Sequence, residues 1–157
     1  MEAKRSSTVI TPGTFAEVLS LAAPDTVVEL VVTGFSMRPF LLHNTSVVKL
    51  QKKCAPKVGD IVLFRRGPNT LVLHRVIGTA PDGRLHICGD AQTWTEYIRP
   101  EQILAQVISI RRTKKEFSVQ NLGYRILSRL WMWAKPIRPH LFGLAARWNK
   151  IVHKKKL

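Results

Sequence analysis

Apolar and polar positions alternate through much of the first two thirds of the chain, and that alternation predicts short strands. The runs are 27–32, 46–51, 60–64, 71–77, 84–87 and 103–110, each rich in Val, Ile or Leu and bounded by turn formers. The separators Lys57-Val58-Gly59-Asp60, Arg66-Gly67-Pro68-Asn69 and Pro81-Asp82-Gly83 leave no room for crossover helices. The expected architecture is therefore a mainly β, antiparallel assembly rather than alternating βα units. Ahead of it, Thr14 to Leu21 has helical spacing, with Phe15, Val18, Leu19 and Ala22 on one side and Pro24 as a stop. Beyond it, Ile126, Leu127, Leu130, Trp131 and Ala134 recur at helical steps from Leu122, with Arg125 and Arg129 on another side. Pro136 and Pro139 end this amphipathic helix, and a second apolar series follows at Leu141, Leu144, Ala145 and Trp148.

Charge divides the chain in the same place. Residues 1–112 hold 14 basic and 9 acidic side chains, whereas 113–157 hold 11 basic side chains and the single acid Glu116. Of the formal net charge of +15, the last 45 residues supply +10. The sequence thus predicts a domain over 1–112 and a basic, Trp-rich amphipathic helical tail over 113–157, with a charged connector at Arg111–Glu116. A hydrophobic content of 45% in 157 residues supports one core with an appendage and excludes broadly disordered and collagen-like classes. The polar start, Met1 to Thr11, has no secretory signal pattern, and no apolar run is long enough for a transmembrane helix. Cys54 and Cys88 stand 34 residues apart, without redox or zinc spacing; their pairing is open. His43, His86, His140 and His153 are scattered without ligand spacing, so no metal or cofactor is expected.

Four segments carry candidate chemistry: Thr33-Gly34-Phe35-Ser36-Met37-Arg38-Pro39, Val58-Gly59-Asp60-Ile61-Val62, Leu73-His74-Arg75-Val76-Ile77 and Cys88-Gly89-Asp90. Ser36 follows a strand and is bracketed by Gly34 and Pro39, a setting that exposes a hydroxyl and turns backbone N–H groups toward a ligand. His74 lies inside an apolar strand pattern, where a neutral imidazole can take a serine proton near pH 7. Asp90 could orient that imidazole and stabilise its charged form. Each residue alone has an ordinary counterpart: a turn serine, a strand histidine, a turn aspartate. Asp60, at the start of a strand, reads as such a turn residue.

In this order and company the four segments resemble the type I signal peptidase family and its wider serine peptidase clan, which includes the self-cleaving LexA-type repressors. The resemblance covers about 31–110. It implies a signal-peptidase/LexA-like antiparallel β catalytic domain with Ser36 as nucleophile. Where the bacterial and repressor branches carry a lysine base, this chain has His74, as in the endoplasmic-reticulum and spore-former branch. That branch implies His74 as base, Asp90 as acidic partner and a further acid a few residues on, for which Glu96 is the nearest candidate. Gly34 and Met37 fall in the oxyanion and substrate loop. The family often has a Ser or Thr where this chain has Gly34, so backbone N–H groups near Ser36, with or without Thr33, would serve the oxyanion; one missing donor costs on the order of 10² in rate. The family's usual anchor before the serine has no counterpart in Met1 to Ala23.

The reading that follows is a serine endopeptidase acting on an extended peptide or preprotein, with no cofactor. Trp131, Trp133 and Trp148 among basic residues suit the tail to an anionic membrane surface, giving a peripheral location with the cytoplasmic face as the simpler expectation. The alternative is a non-catalytic or regulatory protein of the same fold that binds peptide or nucleic acid. Nucleic acid is the weaker partner, because no helix-turn-helix precedes the β region and no aromatic RNA-binding signature appears.

Overall fold

Thr11 caps the first helix: its hydroxyl accepts the N–H of Thr14, and Pro12 occupies the first helical position, where a missing N–H costs nothing. A computed structural model describes residues 11–138, with positions 24, 53 and 54 excepted. Helix α1 (Pro12–Leu21) buries Ala16 and Leu19 while Val18 and Leu21 stay exposed. The sheet contains β1 (Val27–Val31), β2 (Ser46–Gln51), β3 (Ile61–Gly67), β4 (Thr70–Thr79), β5 (Leu85–Cys88), β6 (Glu96–Ile98), β7 (Ile103–Arg112) and β8 (Lys115–Ser118). Their order is β1-β2-β7-β3-β4-β5-β6, with β8 paired to β7, and every pairing is antiparallel. The mainly β architecture expected from the alternation is the one observed.

Both faces of this sheet are covered, and β3 shows why its apolar run is unbroken. Ile61 and Leu63 join one core with Leu19, Met37, Leu41, Val48, Leu50 and Val107. Val62 and Phe64, pointing the other way, join a second core with Val76, Leu85, Ile87 and Ile98. The same alternation sends His74 and Arg75, consecutive on β4, to opposite faces, and both are buried.

The charged stretch expected to be a connector is instead part of the sheet. Thr113, with a left-handed φ of 53°, sits in the turn joining β7 to β8, and Ile110 pairs with Phe117 across the hairpin. Asn121 then caps helix α2 (Leu122–Trp133) by accepting the Tyr124 N–H, and a 3-10 turn follows over Lys135–Ile137. The second apolar series, including Trp148, lies outside the described residues. Among the described residues no helix is long and apolar enough to cross a membrane.

Helix α2 packs on the sheet through its more polar side. Tyr124, Ser128 and Trp131 face the sheet: Ser128 is buried, Tyr124 meets Phe40 and Phe117, and the Trp131 indole N–H donates to the Asp90 carbonyl at 2.8 Å. Leu122, Ile126, Leu127, Leu130 and Trp133 are all more than half exposed.

Candidate active site

Ser36 lies on the loop between β1 and β2, which is pinned at several points. Gly34 has a φ of 90°, a left-handed geometry that a side chain would strain. Its N–H donates to His43 Nδ1 at 2.9 Å, and Phe35 packs on the His43 ring. The Gly34 N–H is therefore already engaged. Among the described residues no hydrogen bond takes up the N–H of Ser36 or Met37. The Met37 side chain runs into the main core and is 3% exposed, so it anchors the loop. The loop's other support comes from the Gly-Asp turn: the Ala91 N–H donates to the Ser36 carbonyl at 2.7 Å. Gly89 permits that approach, since a Cβ there would stand 2.7 Å from the same carbonyl oxygen.

Ser36 and His74 line one groove of about 230 Å³, together with Thr33, Gly34, Arg66, Leu73 and Gln92. His74 is 2% exposed, with Phe64 and Trp94 rings each about 6.1 Å away. Its Nδ1 lies 3.3 Å from Glu96 Oε1, within ion-pair range but out of hydrogen-bond alignment. Glu96 in turn receives Arg66, whose Nε donates to Oε2 at 2.9 Å and whose Nη2 contacts Oε1. Burial lowers the His74 pKa below its ordinary 6.5; the Glu96 carboxylate opposes the shift and Arg66 reinforces it. The imidazole is consequently neutral near pH 7, the state a general base requires.

Asp90 stands elsewhere. Its carboxylate accepts two hydrogen bonds from Arg75, Nε to Oδ1 at 2.8 Å and Nη2 to Oδ2 at 2.7 Å, and both residues are buried. Arg75 also donates to the Gly59 carbonyl at 2.8 Å and to the Tyr124 hydroxyl at 3.2 Å, and stacks over Phe40. Burial alone would depress the Arg75 pKa; the Asp90 carboxylate outweighs it and holds the guanidinium firmly charged. Of the two expected acids, the one beside His74 is thus Glu96. Asp90 reaches His74 only through space, as a lesser charge favouring protonation.

Asp60 behaves as a turn residue, its Oδ2 accepting the Lys57 N–H at 2.8 Å, while Gly59 and Asp60 exchange backbone hydrogen bonds with Val76. Cys88 is a buried free thiol raised in pKa by its burial, donating to the Gly89 and Trp94 carbonyls; Cys54 lies outside the described residues. No group of three metal-binding side chains occurs among the described residues. A roomier recess of about 520 Å³ lies between Lys57–Ile61 and α2, away from Ser36 and His74.

Two groove residues escaped the reading of the sequence. Gln92 lines the groove with a buried Oε1 that has no hydrogen-bond partner among the described residues, and Arg66 bridges Glu96 to the rings of Phe64 and Trp94. Neither falls in a motif. Arg75, by contrast, carried a usable signal: an arginine inside an apolar strand must be paired when buried, and its register opposite Cys88 puts the Gly-Asp turn nearby. No family model matches the chain, and comparison with curated proteins likewise finds no match.

Proposed function

We propose that this protein is a serine endopeptidase in which Ser36 is the nucleophile, His74 the general base and Glu96 the acid that supports it. The observation carrying the reading is that the Ser36 loop and a buried, neutral His74 share one groove, with a carboxylate beside Nδ1. With Nδ1 protonated and turned to Glu96, Nε2 is the nitrogen that takes the Ser36 proton as Oγ attacks a peptide carbonyl. The charge that develops on the imidazole is met by Glu96. The tetrahedral oxyanion is received by the N–H groups of Ser36 and Met37, since the Gly34 N–H serves His43. The Nε2 proton then passes to the leaving amine, and water repeats the sequence on the acyl-enzyme.

Val32–Gly34 and Leu71–Leu73 line the groove from two sides, which suits an extended peptide, and its small volume favours small side chains next to the cleaved bond. Such a substrate agrees with the resemblance of the four motifs to signal peptidases. Incubation of the protein and its Ser36→Ala variant with peptides bearing small residues, with detergent or anionic lipid present, tests this by mass spectrometry. Cleavage by the parent alone is expected. Equal cleavage by both proteins overturns the assignment of Ser36.

A further inference from the structure

Helix α2 is amphipathic in sequence but is mounted with its apolar stripe outward. The residues facing the sheet, Tyr124, Ser128 and Trp131, engage it largely through polar bonds and ring edges. The stripe of Leu122, Ile126, Leu130 and Trp133, continued by Ile137, faces solvent, and Trp133 is 79% exposed. A soluble helix ordinarily buries such a stripe because water penalises it. Along one edge stand Arg125 and Arg129, four residues apart and both exposed. No Asp or Glu follows Glu116, so every charged side chain from α2 onward is basic. An outward apolar stripe edged by cations, with an indole at its surface, matches the chemistry of a bilayer interface, where apolar side chains enter the acyl boundary and basic ones meet phosphates.

We infer that the outward face of α2 is a docking surface for an anionic lipid bilayer. A nucleic acid would use the cations and leave the stripe wet, whereas the bilayer uses both. Docking does not depend on the peptidase reading, and the Ser36→Ala variant is expected to bind vesicles as the parent does. The helix and the turn after it are bonded to the segment flanking the candidate site: the Trp131 indole donates to the Asp90 carbonyl, and the Arg138 guanidinium reaches both the Trp131 and Gln92 carbonyls. A bilayer seated on the outward stripe therefore has the thickness of one helix, about 10 Å, between it and the Gly-Asp turn.

Flotation of the full chain with phosphatidylglycerol-containing vesicles, and with phosphatidylcholine vesicles as control, tests the inference. The parent is expected to float with the anionic vesicles and to release as salt is raised. Ile126→Ser/Leu130→Ser/Trp133→Ser should weaken binding at least about tenfold, and Arg125→Gln/Arg129→Gln roughly tenfold, with thermal unfolding unchanged because these side chains are exposed. Three results would overturn it. One is a stripe variant that floats like the parent. Another is a stripe variant that melts markedly lower, showing that the chain itself covers the face. The third is a parent dimer that the stripe substitutions convert to monomer without any vesicle binding.

Discussion

His74 and Arg75 are neighbours in sequence and opposites in environment. Arg75 on one face is saturated: its guanidinium reaches two carboxylate oxygens, a carbonyl and a phenol, and a ring covers its plane. On the other face the polar atoms are left incomplete, since His74 Nδ1 and Gln92 Oε1 are buried without an aligned partner among the described residues. A saturated buried network fixes geometry, because removing either Arg75 or Asp90 strands the charge of the other. An incomplete one keeps bonding capacity for the proposed chemistry, with Nδ1 free to engage Glu96 as the imidazole becomes charged. The contrast teaches that the Gly-Asp turn is scaffold for the groove, and that the acid of the proposed chemistry comes from the other side, on β6.

The largest effect expected on the groove side is from Ser36→Ala, which should lower peptide cleavage by at least about 10³-fold while leaving the unfolding curve in place. On the scaffold side the counterpart is Asp90→Asn. It leaves Arg75 charged and underpaired in the interior, a loss of about 3–5 kcal/mol, and thermal unfolding should fall by on the order of 10 °C. Gly89→Ala links the two faces. Its methyl group would stand 2.7 Å from the Ser36 carbonyl and 2.6 Å from Gln92 Oε1, so it should displace the nucleophile loop and depress kcat more than stability. Smallest is Tyr124→Phe, which removes one hydrogen bond to Arg75 and should cost about 1 kcal/mol in chemical denaturation, with the cleavage rate preserved.

The pH dependence follows from His74. Its folded-state pKa lies below the ordinary 6.5, so as pH falls through that value the unfolded chain takes up this proton first. His74 therefore subtracts from stability on the acid side and adds no pH dependence above about 6.5. The proposed catalysis should run the same way, with kcat/KM level at neutral pH and falling on the acid side only as His74 itself becomes charged.

Much of the framework is legible in the chain because it is written in local alternation. The six strands read from apolar periodicity are all present, as is a helix on each side of them. The two further strands have no such pattern. β6 is the three residues Glu96–Ile98, and β8 is Lys115–Ser118, whose charge reads as a connector until its register with β7 is seen. Placing Ser36 and His74 on one groove needed only their motifs. Sorting the acids needed the third dimension, because only the fold shows Glu96 beside His74 Nδ1 while Asp90 is taken up by Arg75. The facing of α2 was likewise hidden: periodicity reveals a stripe but not whether it meets the core.

The proposed chemistry has Glu96, and not Asp90, serve His74. Its most direct test is the pH profile of kcat/KM for Glu96→Gln, measured on protein shown to unfold like the parent. Removing the carboxylate takes away the principal charge that favours protonated His74 and leaves Arg66 to oppose it, so the acid limb should move to lower pH. The plateau should fall by about 10²-fold as support for the imidazolium is lost. An unchanged limb and plateau in Glu96→Gln, alongside an Asp90→Asn protein that is fully stable yet inactive, would contradict the account.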